Sequence, residues 1–70
     1  MENRVVHIEY IITRSDNKQT ISCWRRESDL FIGDFKSVEN MKAYCNRLYN
    51  LNKVVYHRLY EKEVQDGEEV

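Results

Sequence analysis

Proline is absent from this 70-residue sequence, glycine occurs only at Gly33 and Gly67, and cysteine only at Cys23 and Cys45. Each scarcity excludes something. Two isolated glycines cannot make the glycine-rich loop that wraps backbone amides around a phosphate. Two cysteines without a Cys-x-x-Cys spacing give neither a disulfide framework nor a zinc-ribbon pattern. No apolar run is long enough to cross a bilayer as a helix, so no membrane partner is expected. With few cysteines and no signal-peptide pattern, the expected location is the cytoplasm. Strong charge of one sign is missing too. The formal net charge is −1, but residues 1–60 hold ten Lys/Arg against seven Asp/Glu, whereas residues 61–70 hold one lysine against five acids. A weakly basic body with an acidic end falls well short of the footprint of a dedicated nucleic-acid binder.

What the sequence does have is a β-branched and aromatic stretch, Val5-Val6-His7-Ile8-Glu9-Tyr10-Ile11-Ile12. Residues of these types fit a pleated surface better than a helix. Residues 6, 8, 10 and 12 put large groups on one face, while 5, 7, 9, 11 and 13 make a mixed face. The stretch reads as the central strand of a small sheet, from about Arg4 to Arg14. Ser15-Asp16-Asn17-Lys18 breaks the pattern with residues that tolerate left-handed backbone, as a tight hairpin turn requires. A second strand follows, from about Gln19 to Arg26. With Asp16 and Asn17 at the turn centre, Ile12 faces Ile21, Tyr10 faces Cys23 and Ile8 faces Arg25. On the other face Ile11 meets Ser22, Glu9 meets Trp24 and His7 meets Arg26. A slip of one residue would scatter the apolar pairs.

Residues 27–36 fit neither the strand nor the helix period, and are read as a folded-over connection that caps the core. Ser37 has the chemistry of a helix N-cap. The helix is expected over Val38–Asn50, with Val38, Met41, Tyr44, Cys45, Leu48 and Tyr49 in one stripe. Lys53 to about Lys62 reads as a third strand. Both of its alternations contain apolar residues, so its inward face is left open. The acidic end, residues 65–70, is expected to be a disordered tail.

The fold class expected is therefore α+β: one domain over residues 1–64, built β-β-α-β. Its three-stranded antiparallel sheet, in order 2-1-3, carries the helix on one face. The two outer strands are left unpaired, with Arg25, Arg26, Arg58 and Lys62 as charged guards.

Candidate chemistry is sparse. His7 and His57 become neighbours if the first and third strands pair, but no further ligand spacing supports a metal site, and none is expected. Cys23 and Cys45 read as small buried hydrophobes, not nucleophiles. No Ser/His/Asp arrangement is visible, so neither an enzyme nor a cofactor is expected. The more informative feature is the sheet face away from the helix. Trp24, Arg26, Tyr56, Arg58 and Tyr60 are the candidate binding surface, because Trp, Tyr and Arg are the types that dominate interface energetics. The expected function is a small regulatory or inhibitory protein, of the sort phages and mobile elements encode, whose partner is another protein or a second copy of itself. A second copy would pair along an edge strand into one continuous sheet. The runner-up is a single-stranded nucleic-acid module in which these aromatics stack bases. Glu9 and Glu27 in and beside the patch weigh against it.

Overall fold

The hairpin forms as its pattern dictates. In the computed structural model, which describes residues 4–64, β1 (Val5–Ser15) runs antiparallel to β2 (Lys18–Arg25). Met1 to Asn3 and the expected tail at 65–70 lie outside the described residues. Asp16 and Asn17 both take left-handed backbone, with φ of 54° and 64°. That is the conformation of a two-residue hairpin turn whose twist matches the strands it joins. Ile12 lies opposite Ile21, Tyr10 opposite Cys23, Glu9 opposite Trp24 and Ile8 opposite Arg25. Arg26 donates its backbone N–H to the carbonyl of His7 at 2.9 Å, extending that register by one pair.

Residues 27–36 are not a folded-over cap. After a turn in which Asp29 also has positive φ, Leu30–Phe35 form a further strand, β3, antiparallel to β2. Its alternation is hidden because it is interrupted. Trp24 pairs with Phe31 and Cys23 with Gly33, so Ile32 has no opposite number. This is a β-bulge, and it shifts the two-residue period by one in mid-strand. Leu30 and Phe31 therefore alternate in one phase, and Gly33, Asp34 and Phe35 in the other.

Helix α1 (Val38–Leu48) starts where Ser37 supplies its cap. The Ser37 hydroxyl accepts from the Asn40 N–H at 3.0 Å, satisfying one of the amides that a helix start leaves unpaired. Glu39 in the first turn and Arg47 in the last complement the helix dipole. The helix stops two residues short of the expected Asn50. The stripe that packs is also narrower than the pattern implied. Met41 and Cys45 are fully buried, and Val38 and Tyr49 pack beside them. Tyr44 and Leu48 remain 41% and 49% exposed.

The last strand, β4 (Lys53–Val64), takes the free edge of β1 and runs parallel to it. The sheet is thus four-stranded and mixed, in the order β3-β2-β1-β4. The expected three-stranded, all-antiparallel sheet is corrected here, and the missing strand is the reason. β3 reverses the chain once more, so it runs parallel to β1. The crossover through α1 then returns the chain in that same direction. Overlooking one strand leaves the neighbour of β1 correct and its direction inverted. The edges are consequently β3 and β4, and β2 is interior.

β4 has its own bulge. Tyr10 pairs with Arg58 and Ile11 with Tyr60, leaving Leu59 without a partner. Before it, Val54, Tyr56 and Arg58 follow Val6, Ile8 and Tyr10 onto the helix side. After it, Tyr60 follows Ile11 onto the open side. The core lies between sheet and helix: Val6, Ile8, Ile12, Ile21, Cys23, Met41 and Cys45. The described residues extend over 53 × 20 × 14 Å, and an eleven-residue helix is only about 16 Å long. The helix therefore shelters one portion of the sheet only.

Candidate functional site

The face of the sheet opposite α1 carries side chains from all four strands. From β1 come His7, Glu9, Ile11 and Thr13; from β2, Ser22 and Trp24, with Arg26 just beyond; from β3, Phe31; and from β4, His57 and Tyr60. Period-two alternation puts them there, because Val6, Ile8, Ile12, Ile21 and Cys23 are turned to the core.

Glu9 is the organiser of this face. Its carboxylate accepts the Trp24 indole N–H at 3.0 Å and the Arg26 Nε–H at 2.8 Å. Hydrogen bonding from Arg26 is the main reason the Glu9 carboxyl is held below the usual carboxylate range, against a smaller opposing effect of burial. Beyond Arg26, the Glu27 carboxylate accepts from the His7 backbone N–H and from Arg25 Nε, each at 3.2 Å. Farther along, the Ser22 hydroxyl donates to Asp34 at 2.6 Å. Arg26 is thus matched by Glu9 on this face, and Arg25, which lies on the helix side opposite Ile8, by Glu27.

His7 and His57 do meet. His7 Nδ1 and His57 Nε2 are 3.0 Å apart, and the ring centroids are 5.2 Å apart. The difference, 2.2 Å, is close to two ring radii laid end to end. The rings therefore point at one another, and one nitrogen donates while the other accepts. The nitrogen that donates has no lone pair left for an ion, so the two rings form a hydrogen bond and not half of a metal site. Among the described residues, no group of three or more His, Cys, Asp or Glu side chains is placed to hold a metal.

The expected binding residues are divided by the structure. Trp24, Arg26 and Tyr60 share the open face. Tyr56 and Arg58 do not, which corrects their expected placement. Tyr56 points to the helix, where its hydroxyl donates to Asn46 Oδ1 at 2.8 Å and lies 3.2 Å from the Lys42 carbonyl. Burial pushes that hydroxyl up to about 12. Arg58 is on the same side, paired with Glu61. The bulge at Leu59 is what puts Tyr60 on the other side from them.

Sequence reasoning missed Phe31, which is 59% exposed and lies directly opposite Trp24. The available signal was the Trp24–Phe31 match, visible only once Ile32 is allowed to bulge. Cys23 and Cys45 are fully buried, as expected of small hydrophobes. Burial, reinforced by the neighbouring Cys45, pushes the Cys23 thiol up to about 12. Burial also raises Cys45. A protonated, enclosed thiol is a poor nucleophile. A shallow depression at the hairpin tip, lined by residues that include Arg14, Lys18, Lys36 and Glu63, contains no histidine, cysteine or aromatic side chain. Its lining does not include Glu9, Trp24 or Arg26.

Neither a family model, nor a curated protein, nor a solved structure matches the chain.

Proposed function

We propose that this chain is a small non-enzymatic binding protein whose open sheet face occupies the surface of another protein. The observation that carries the reading is the Glu9 bracket. It fixes an indole and a guanidinium, two of the side chains most often found at interface hot spots, side by side on an exposed sheet. Side chains already held in place lose less freedom on binding, and that freedom is a main cost of association. Phe31 and Tyr60 extend the apolar surface to either side.

The local charge balance favours a protein over a nucleic acid. A phosphate-binding face needs unpaired cations, because affinity there comes from neutralising phosphates and releasing counterions. On this face Arg26 is engaged by Glu9, which among the described residues leaves Lys62, toward the far end of β4, as the cation a phosphate would meet. The partner expected is a protein whose contact patch is apolar at its centre and polar at its rim.

The test is affinity capture from the source cells with the native chain, Trp24→Ala, and Glu39→Ala on the exposed side of α1. A specific partner retained by the native chain and by Glu39→Ala, and lost with Trp24→Ala while circular dichroism is unchanged, supports the reading. Fluorescence anisotropy with a single-stranded oligonucleotide runs in parallel. Binding that weakens steeply with salt, and whose salt slope flattens in Arg26→Ala, would replace the protein reading with the nucleic-acid one.

A further inference from the structure

The two edges of the sheet are unequal. β3 is six residues long and is interrupted by the Ile32 bulge, with Gly33 and Asp34 beside it. Short length, bulges and charge all blunt an edge; β4 shares the bulge, at Leu59, and the charge, at Arg58, Glu61, Lys62 and Glu63, so the edges differ in length. β4 is twice as long, and among the described residues no strand pairs with its outer edge. Leu59, Tyr60 and Val64 on this strand are 46%, 53% and 40% exposed.

We infer that β4 pairs antiparallel with β4 of a second copy of this chain, about a two-fold axis through the bulge at Leu59. The bulge itself supplies the argument. It switches the facing of alternate residues midway along the strand. Val55 and His57 face the open side before it, and Tyr60, Lys62 and Val64 after it; Tyr56 and Arg58 face the helix side before it, and Glu61 and Glu63 after it. A two-fold lays the first half of one strand along the second half of the other. Among the registers that keep like faces together, the one centred on the bulge sets Arg58 opposite Glu61 of the second copy. It also sets Val55 opposite Val64 and Tyr56 opposite Glu63, with Leu59 meeting Tyr60 at the axis. Symmetry makes each of these pairs twice.

Opposite charges and apolar side chains directly across a ladder stabilise it, and like charges destabilise it. His57 beside Lys62 is the one poorly matched pair. In the single chain Glu61 already contacts Arg14 and Arg58, so pairing exchanges the Arg58 contact within a strand for one between copies. An axis perpendicular to the sheet keeps both helices on one side. The two open faces then join into a single surface that presents Trp24 and Arg26 twice. Tyr60 belongs to both surfaces, but Trp24 on β2 lies two strands from the β4 edge, so Trp24→Ala leaves the dimer intact even where it abolishes partner capture.

Light scattering across a concentration series tests the pairing. The native chain is expected at twice its 8.5 kDa mass. Arg58→Glu alone places two glutamates opposite each other, and Glu61→Arg alone places two arginines; each raises the dissociation constant about tenfold or more. An equimolar mixture of the two variants restores the doubled mass, because each now offers what the other lacks. A native chain that stays monomeric throughout, or variants that both dimerise like the native chain, would overturn the inference. Should either variant fail to fold, amide exchange on the native chain decides. Protection across 54–63 that rises with protein concentration supports β4 pairing, and protection independent of concentration contradicts it.

Discussion

The two faces of this sheet are held together by different physics. The face under α1 is a dry contact: Ile8, Ile21, Cys23, Met41 and Cys45 have no measurable exposure, and among the described residues no polar one is buried with them. The open face is a polar lattice, in which Glu9 joins Trp24 to Arg26 and His7 joins His57 across the β1–β4 pair. Burial is non-directional and tolerates sliding, provided volume is filled. Hydrogen bonds between fixed partners set positions but add little net stability. In a 70-residue chain with a small core, this division leaves the open face free to be specified for contact, while the covered face supplies most of what keeps the chain folded.

Experiments on the two faces should therefore separate by size. The largest difference is in thiol chemistry. A Cys23 thiol raised to about 12 holds about a thousandfold less thiolate at neutral pH than a free cysteine. Ellman's reagent is expected to modify neither cysteine in the native chain and both on unfolding. Rapid labelling of the folded protein would mean the covered face is not closed. Next comes a pair of truncations in adjoining positions of the hairpin. Ile21→Ala, on the covered face, should cost about 2–5 kcal/mol of unfolding free energy. Ile11→Ala, on the open face, should cost well under half as much, and equal losses in urea titrations would mean that both faces are held by burial. Smaller again is Tyr56→Phe, which removes the hydroxyl that ties β4 to α1 and should cost about 1 kcal/mol.

The smallest effect expected is the pH response of the Glu9 bracket. Glu9 has a lower pKa folded than unfolded, so its contribution is fully present above the ordinary carboxylate range. It is lost as acidification passes through the folded-state value. The Glu9 carboxyl resonance should therefore titrate below the usual range. Because Arg26 is the main cause, Arg26→Ala should move that midpoint upward. An unchanged midpoint in Arg26→Ala would show that the guanidinium does not hold the carboxylate in solution.

How far the sequence discloses this arrangement depends on whether a ladder is interrupted. The β1–β2 hairpin has a two-residue turn and no bulge, so its alternation, turn chemistry and register agree at every position from Ile8 to Ser15. The two strands that sequence reasoning misread or left ambiguous are the two with an extra residue. Ile32 hides β3 among residues without a period, and Leu59 gives β4 two competing apolar alternations. A bulge costs one residue of phase, and phase is the only thing an alternation reports. The candidate site was legible to the same extent. Trp24 and Arg26 were placed from the hairpin register. Tyr56, Arg58 and Tyr60 were grouped together across a bulge that separates them, and Phe31 was overlooked behind another. The helix cap was legible because Ser37 acts through a local hydrogen bond that needs no long-range register.

The order in which the chain is made bears on the central strand. β1 acquires its first neighbour across a two-residue turn, but its second begins with Lys53 against Val5, 48 positions later. Synthesis runs from the N-terminus, so β1, β2 and β3 emerge while one side of β1 still has no neighbour. That side belongs to the most apolar strand in the chain, and long loops close late. For as long as β4 is unmade or undocked, the growing polypeptide displays a ready template for the wrong strand. Docking of β4 along β1 closes that template and moves the open edge to a strand that carries Arg58, Glu61, Lys62 and Glu63.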